Sequence, residues 1–253
     1  MSEPAQPLSL TWVGHSTVLI EAAGVRLLTD PLLRARVAHL RRVAPAAPAL
    51  GGELDAVLIS HVHYDHLDLA SLRQLRARRF VAPRGAGRIL TRRGLGPVVE
   101  IGEGDELPLN RVTVRATHAA HPARRWLGGS ASVGYLVSAP ERVYFAGDTE
   151  LFDGMRRLAP LDVALLPVAG WGPRLGPGHL DPQQAAEALR LLQPRVAVPI
   201  HWGTYVRMGM RRERGTLREP AERFARLAAE LAPEVSVRVL EPGETLAPSG
   251  AAA

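Results

Sequence analysis

The run His61-Val62-His63-Tyr64-Asp65-His66 packs three imidazoles and a carboxylate into six residues, directly after the apolar segment 55–60. If that segment is a buried strand, His61 and His63 lie two apart just beyond its end. Both rings then project to the same side and can share one cation. Asp65 and His66 follow at once and can turn towards a second cation beside the first. Two ions ~3.5–4 Å apart can hold a hydroxide between them and steady both the attacking and the leaving oxygen of a displacement. Water bound to such ions has a pKa near ~7, so hydrolysis needs no Ser or Cys nucleophile. From this chain's own His and Asp frequencies such a run arises by chance on the order of once in a few thousand chains, which favours a site over a solvated His-rich loop.

The chain has no cysteine, so disulfides and thiolate ligands are excluded and any transition metal must be held by His, Asp or Glu. Nitrogen and oxygen donors suit Zn²⁺ and also admit Mn²⁺, Fe²⁺ and Ni²⁺.

The elements that would position these residues are legible as alternations of apolar runs and turn signals. Segments 8–13, 17–21 and 25–29 read as strands, with Ala22-Ala23-Gly24 as a hairpin turn between the last two. Segment 55–60 reads as a short strand buried on both faces. Asp68 can cap a helix carrying Leu69, Leu72 and Leu75 on one side. Further strands are expected at 80–82, 98–101 and 112–117, a hairpin-like pair at 133–137 and 142–146, and apolar strands at 161–167 and 195–200. Asp181, Pro182 and Gln184 form a capping box with proline at the first helical position, so 181–192 is the clearest helix, with Ala185, Leu189 and Leu192 as its buried stripe. A last helix is expected from Pro220, burying Phe224, Leu227, Ala228 and Leu231. Strands with helices interspersed in both halves point to an α/β chain of two packed sheets with helices outside.

The run 61–66 resembles the HxHxDH signature of the metallo-β-lactamase superfamily, and later segments extend the resemblance in order. Phe145-Ala146-Gly147-Asp148-Thr149 is similar to the superfamily's strand-end segment whose Asp bridges two metals. Pro199-Ile200-His201-Trp202-Gly203-Thr204 is similar to its last ligand motif. Trp12-Val13-Gly14-His15-Ser16-Thr17 and Leu28-Thr29-Asp30-Pro31 resemble the opening strands of one branch, which holds the N-acyl-phosphatidylethanolamine phospholipase D-like and ascorbate-phosphate lactonase-like enzymes. The resemblance implies an αββα sandwich of two mixed sheets flanked by helices. It also implies two divalent ions, zinc by default. His61, His63 and a third histidine would hold the first ion, and Asp65, His66 and His201 the second, with Asp148 bridging. Both His118 and His121 follow the strand 112–117; His118 falls right at the strand end and is the expected third ligand. His121 is then a neighbouring or substrate contact, or simply a loop residue.

Other residues carry weaker signals. His179 precedes the capped helix, whose N-terminus favours anions, so it is expected to contact a phosphate or protonate a leaving group, with a plain helix-start residue as the alternative. Asp65 can also orient the nucleophile and accept its proton. His15 and Asp30 can each hold a ligand in place or merely shape a turn. Trp171, in the Gly- and Pro-rich loop 168–178, is expected on the substrate wall. His39, among Arg34, Arg36, Arg41 and Arg42, reads as a solvated loop residue. Arg207, Arg211, Arg212 and Arg214, with Tyr205, Met208 and Met210, form either an anion-attracting rim or a solvated face.

A length of 253 residues and 46% hydrophobic composition fit a soluble globular chain, read as one domain with its core at about 8–246 and frayed ends. No apolar run approaches the ~18 residues of a membrane span, and the first residues lack a secretory signal, so a cytoplasmic location is expected. The net charge of +6 is carried entirely by Arg, which fits a small anionic substrate but is more simply a composition bias toward Arg and Ala. The expected function is hydrolysis of a phosphodiester or lactone of a small anionic metabolite or lipid head group. Nucleic acid is not expected as a partner. A di-iron oxidoreductase, a nucleic-acid phosphodiesterase or a non-catalytic metal-binding module are the alternatives on this fold.

Overall fold

The computed structural model of the protein describes residues 7–122, 130–172, 175–210 and 214–248. One seven-stranded sheet runs, strand by neighbouring strand, Thr245–Leu246, Ser9–Gly14, Thr17–Ala22, Val25–Thr29, Ala56–Leu58, Phe80–Pro83, Val98–Ile101. The second runs Ser236–Val237, Pro194–Ile200, Leu161–Pro167, Arg142–Phe145, Val133–Ser138, Val112–His118, Glu106–Leu109. Each is mixed. From Val25–Thr29 onward the first sheet is parallel, and so are the four strands of the second from Ser236–Val237 to Arg142–Phe145.

Strand alternation explains the layering. Ile20, Leu27, Ala56 and Leu58 join the core shared with the second sheet, whereas Leu19, Leu28, Val57 and Ile59 join a second cluster with Leu72 and Leu90 of the short helices Leu69–Leu72 and Gly87–Thr91. Because successive side chains point to opposite faces, a strand that is apolar at every position must be covered on both sides. On the second sheet the cover is the helix pair Pro182–Leu192 and Arg214–Leu231, whose Ala185, Leu189, Leu192, Phe224 and Ala228 are buried. The result is the αββα sandwich expected of the chain.

Several elements differ from expectation. The last helix starts six residues before Pro220, which lies inside it although the proline reads as a first-turn signal. The helix capped by Asp68 is a single turn, Leu69–Leu72, with Ser71 N donating to Asp68 Oδ2 at 3.0 Å. A third, three-stranded sheet of Arg36–Val37, Leu40–Arg42 and Tyr205–Arg207 was not anticipated. Residues 1–6 and 249–253, expected to fray, lie outside the described residues, as do Arg211 and Arg212.

Parallel strands end on one edge, and the loops after their carboxyl ends converge there. Asp30 follows Thr29, His61 follows Leu58 by three residues, Asp148 follows Phe145 by three, and His201 follows Ile200 directly. The fold thus delivers the candidate residues of both sheets to one place. Among the described residues no helix is long and apolar enough to cross a membrane.

Candidate metal centre

Two groups of donors face each other across the edge of the sandwich. In the first, His63 Nδ1 lies 3.0 Å from His61 Nε2 and 3.1 Å from His121 Nε2. The second gathers His15, Asp65, His66 and His201, with His66 Nε2 3.2 Å from His201 Nε2. Asp148 stands between them: its Oδ2 is 3.2 Å from His66 Nε2 and 3.9 Å from His61 Nε2, and its Oδ1 is 3.4 Å from His201 Nε2.

His118 is not in this cluster, which corrects the expectation that it completes the first group. It is still paired in strand register opposite Val133, and its exposed ring turns to Glu103 Oε2 at 2.9 Å and to the edge of Phe152. Beyond the strand end the chain bends back. Ala120 N donates to Thr149 Oγ1 and Glu150 N donates to Ala120 O, and His121 is carried into the site. There His121 Nδ1 bonds Gly178 O at 2.7 Å, which leaves Nε2 facing His63. The turn past the strand, not the strand end, places the histidine.

The other expected residues do assemble. Asp30, fully buried, lies 2.7 Å from His66 Nδ1 and accepts from Ser60 N at 2.7 Å and Ser60 Oγ at 2.5 Å. Ser60 Oγ is in turn 2.9 Å from His61 Nδ1. One carboxylate therefore orients a histidine of each group, one directly and one through a hydroxyl, in the manner of outer-sphere partners of metal ligands. His15 Nε2 and Trp171 Nε1 both approach Asp65 Oδ2, at 3.2 and 3.1 Å. His179 Nε2 reaches Asp148 Oδ2 at 3.2 Å while part of its ring stays exposed. Ser60, His39 and Tyr64 were given no role by sequence. For His39 the apolar flanks Val37 and Leu40 around two residues were an overlooked hairpin signal.

The backbone is strained where the site is built. His15, Asp30 and His201 have φ of +55°, +32° and +63°, a region costly for residues with a Cβ. Local bonds hold two of them there: His201 N donates to His15 O, Trp12 Nε1 donates to the same carbonyl, and His15 N donates to Thr204 Oγ1 at 2.7 Å. Gly147, at φ +61°, needs its missing side chain, because a Cβ would sit 2.8 Å from Ser60 Cβ.

The electrostatics sort the rings by surroundings. Burial, reinforced by neighbouring imidazoles, pushes His61 well below the usual histidine range, His15 to about 3 and His121 to about 4, so all three present neutral rings at pH 7. Burial also opposes charge on His66, but Asp148, Asp65 and Asp30 outweigh it and hold it well above that range. Burial works against the Asp148 carboxylate as well. His201 and His66 overcome it, and Asp148 stays ionised.

This arrangement fits divalent metal. Ionised carboxylates and imidazoles without their proton are the forms that ligate metals, so a cation would take the place of the proton that the three carboxylates favour on His66. Among the described residues Asp148 Oδ1 is buried and accepts no hydrogen bond, a setting in which a cation is the fitting partner for an anionic oxygen.

A family profile described as "Beta-lactamase superfamily domain" matches residues 25–202, from the third strand through the last of the clustered histidines. The chain belongs to the metallo-β-lactamase-fold superfamily. Within this superfamily it is 32% identical to a protein of Caldivirga maquilingensis named as a metal-dependent hydrolase, over 94% of this chain and 96% of that one. It is 30% identical to N-acyl-phosphatidylethanolamine-hydrolyzing phospholipase D 1 of Caenorhabditis elegans, over 78% of this chain and 64% of that one. The solved structure of a metallo hydrolase from the archaeon Ignicoccus hospitalis superposes with a TM-score of 0.73 at 27% identity, covering 95% of this chain and 98% of that chain. The superfamily's metal-binding fold is thus present along nearly the whole chain.

Proposed function

We propose that the protein is a metal-dependent hydrolase that binds two divalent cations, zinc by default, and cleaves a phosphodiester or cyclic ester of a small anionic substrate. His61, His63 and His121 would hold one cation, Asp65, His66 and His201 the other, and Asp148 would serve both. The observation that carries this reading is the buried Asp148, within 3.9 Å of His61, His66 and His201 and with one oxygen that has no hydrogen bond among the described residues. Bound there, such cations supply Lewis-acid polarisation of the substrate's oxygen and water whose pKa is lowered to ~7.

The chain's own residues do the rest. Asp65, with Oδ2 held by His15 and Trp171, is oriented to accept a proton from the attacking water. His179 is the candidate proton donor to the leaving oxygen. Its Nδ1 faces Gly176 O at 3.0 Å, which leaves the Nε2–H beside Asp148 as the proton to be given, and its ring is partly exposed to an incoming substrate. Burial lowers its proton affinity, but the bond to Asp148 prevails and holds its pKa above the usual value, as a general acid requires. The relative named as an N-acyl-phosphatidylethanolamine-hydrolyzing phospholipase D supports the phosphodiester side of the reading.

The test is metal analysis followed by turnover of bis(p-nitrophenyl) phosphate, an acyl-homoserine lactone, a β-lactam and a phosphatidylethanolamine derivative. Two metal equivalents and turnover of one ester class, lost in Asp148→Ala, are expected. A coloured iron protein inert to every ester would instead point to oxidation chemistry.

A further inference from the structure

Beside Asp65 stand three half-buried rings, of which hydrolysis uses only the Trp171 N–H. His39 sits in the two-residue turn between Arg36–Val37 and Leu40–Arg42, at the tip of the small third sheet. Its ring packs edge-on against Trp171 at 4.8 Å and against Tyr64 at 5.3 Å, and Tyr64 Oη lies 3.2 Å from His39 Nε2. Trp171 lies 6.3 Å from Tyr64, and its N–H on Asp65 Oδ2 fixes the indole beside the metal centre. Leu32, Val37, Leu40 and Tyr205 form a separate apolar cluster against which Tyr64 and Trp171 pack.

Next to these rings, Met208 N donates to His39 O at 2.8 Å, and the Met208 side chain is 50% exposed. No other large hydrophobic side chain among the described residues is exposed. The three anchored rings make a stiff, apolar face, and the backbone bond to His39 O tethers the exposed, polarisable Met208 near its His39 end. This face borders a site whose donors suit an anion held by cations.

We propose that His39, Tyr64 and Trp171, extended by Met208, form the recognition wall for the organic part of the substrate. The group they take is a flat aryl or heteroaryl ring attached to the anion that the metal centre holds. Flatness follows from the rings being locked edge-to-face, which leaves rigid faces and edges that a planar group matches by offset stacking or edge contact, while a puckered ring meets them at fewer atoms. The inference rests on the two-cation reading of the site, but not on any turnover.

Binding to the zinc-loaded full chain tests it by titration calorimetry, after zinc content has been measured. The probes are phenylphosphonate, cyclohexylphosphonate and methylphosphonate, which share an anion and differ in the attached group. Phenylphosphonate is expected to bind about tenfold more tightly than methylphosphonate, a difference of about 1.4 kcal/mol, and cyclohexylphosphonate to fall between them. In His39→Ala/Tyr64→Ala, with zinc content and circular dichroism unchanged, the phenyl preference should shrink to about threefold or less while methylphosphonate affinity holds. Equal affinity for phenyl and methyl, equal affinity for phenyl and cyclohexyl, or a preference that survives the double substitution overturns the wall. A ring preference without turnover of any ester would sink hydrolysis and keep the wall, whereas turnover without the preference would do the reverse.

Discussion

At the scale of single residues, the site is decided by which nitrogen of each ring is already engaged. Asp30 takes His66 Nδ1, Gly178 O takes His121 Nδ1 and Ala169 O takes His201 Nδ1 at 2.7 Å each, so each ring offers Nε2 inwards. His118 has the same chemistry and none of the placement. His121→Ala is therefore expected to weaken binding of one of two zinc equivalents by more than the ~10–100-fold that outer partners contribute. His118→Ala should leave both equivalents in place. Zinc content after dialysis against graded chelator decides between them, and the opposite pattern would restore His118 as the ligand.

At the scale of elements, the segment between Gly176 and Pro182 serves two ends at once. Asp181 accepts from Gln184 N at 2.8 Å and starts the helix Pro182–Leu192. Three residues earlier, Gly178 donates its N–H to Glu150 Oε1 at 2.6 Å and offers its carbonyl to His121. Its φ is +85°, and an added Cβ would meet Pro122 Cδ and lie 2.5 Å from His121 Nδ1. The two positions should therefore fail differently. Asp181→Ala is expected to cost about 1 kcal/mol of stability, a Tm loss of about 2–4 °C, with metal content intact. Gly178→Ala should displace His121 and lower zinc affinity by about tenfold or more. Thermal melts and zinc titrations on the pair separate the effects, and a Gly178→Ala protein with normal zinc affinity would show that the bond to His121 does not position it.

At the scale of the whole molecule, the donors are drawn from both sheets, so cations bound there would staple one to the other. His61, His63, Asp65 and His66 come from the loop after Ala56–Leu58 in the first sheet, and Asp148 and His201 from strand ends of the second. Trp12 of the first sheet stacks on Trp202 beside His201 at 4.8 Å, so the same edge is also closed by apolar contact. Ligands that bind only the folded state stabilise it by mass action, about 4.1 kcal/mol when free ligand exceeds Kd a thousandfold. Chelation should therefore lower the Tm by several degrees and zinc should restore it. A Tm indifferent to chelator would mean that cations do not join the sheets.

Much of this was legible in the chain alone, for a physical reason. Strand period, capping chemistry and the tight spacing of His61, His63, Asp65 and His66 are local, and local rules act through adjacent residues. They yielded an α/β chain and the capped helix at Asp181, while the αββα class and the grouping of that run with Asp148 and His201 were what the resemblance to the metallo-β-lactamase superfamily implied. What tertiary structure alone decided depends on chain reversals over long separations. The bend after Val112–His118 exchanges His118 for His121, because which residue re-enters the site is set by contacts with Thr149, Glu150 and Gly178 rather than by distance along the strand. The third sheet pairs Leu40–Arg42 with Tyr205–Arg207, some 160 residues apart, and thereby brings His39 from an arginine-rich stretch to the side of Tyr64 and Trp171. No period or cap in either segment encodes that meeting; only packing does.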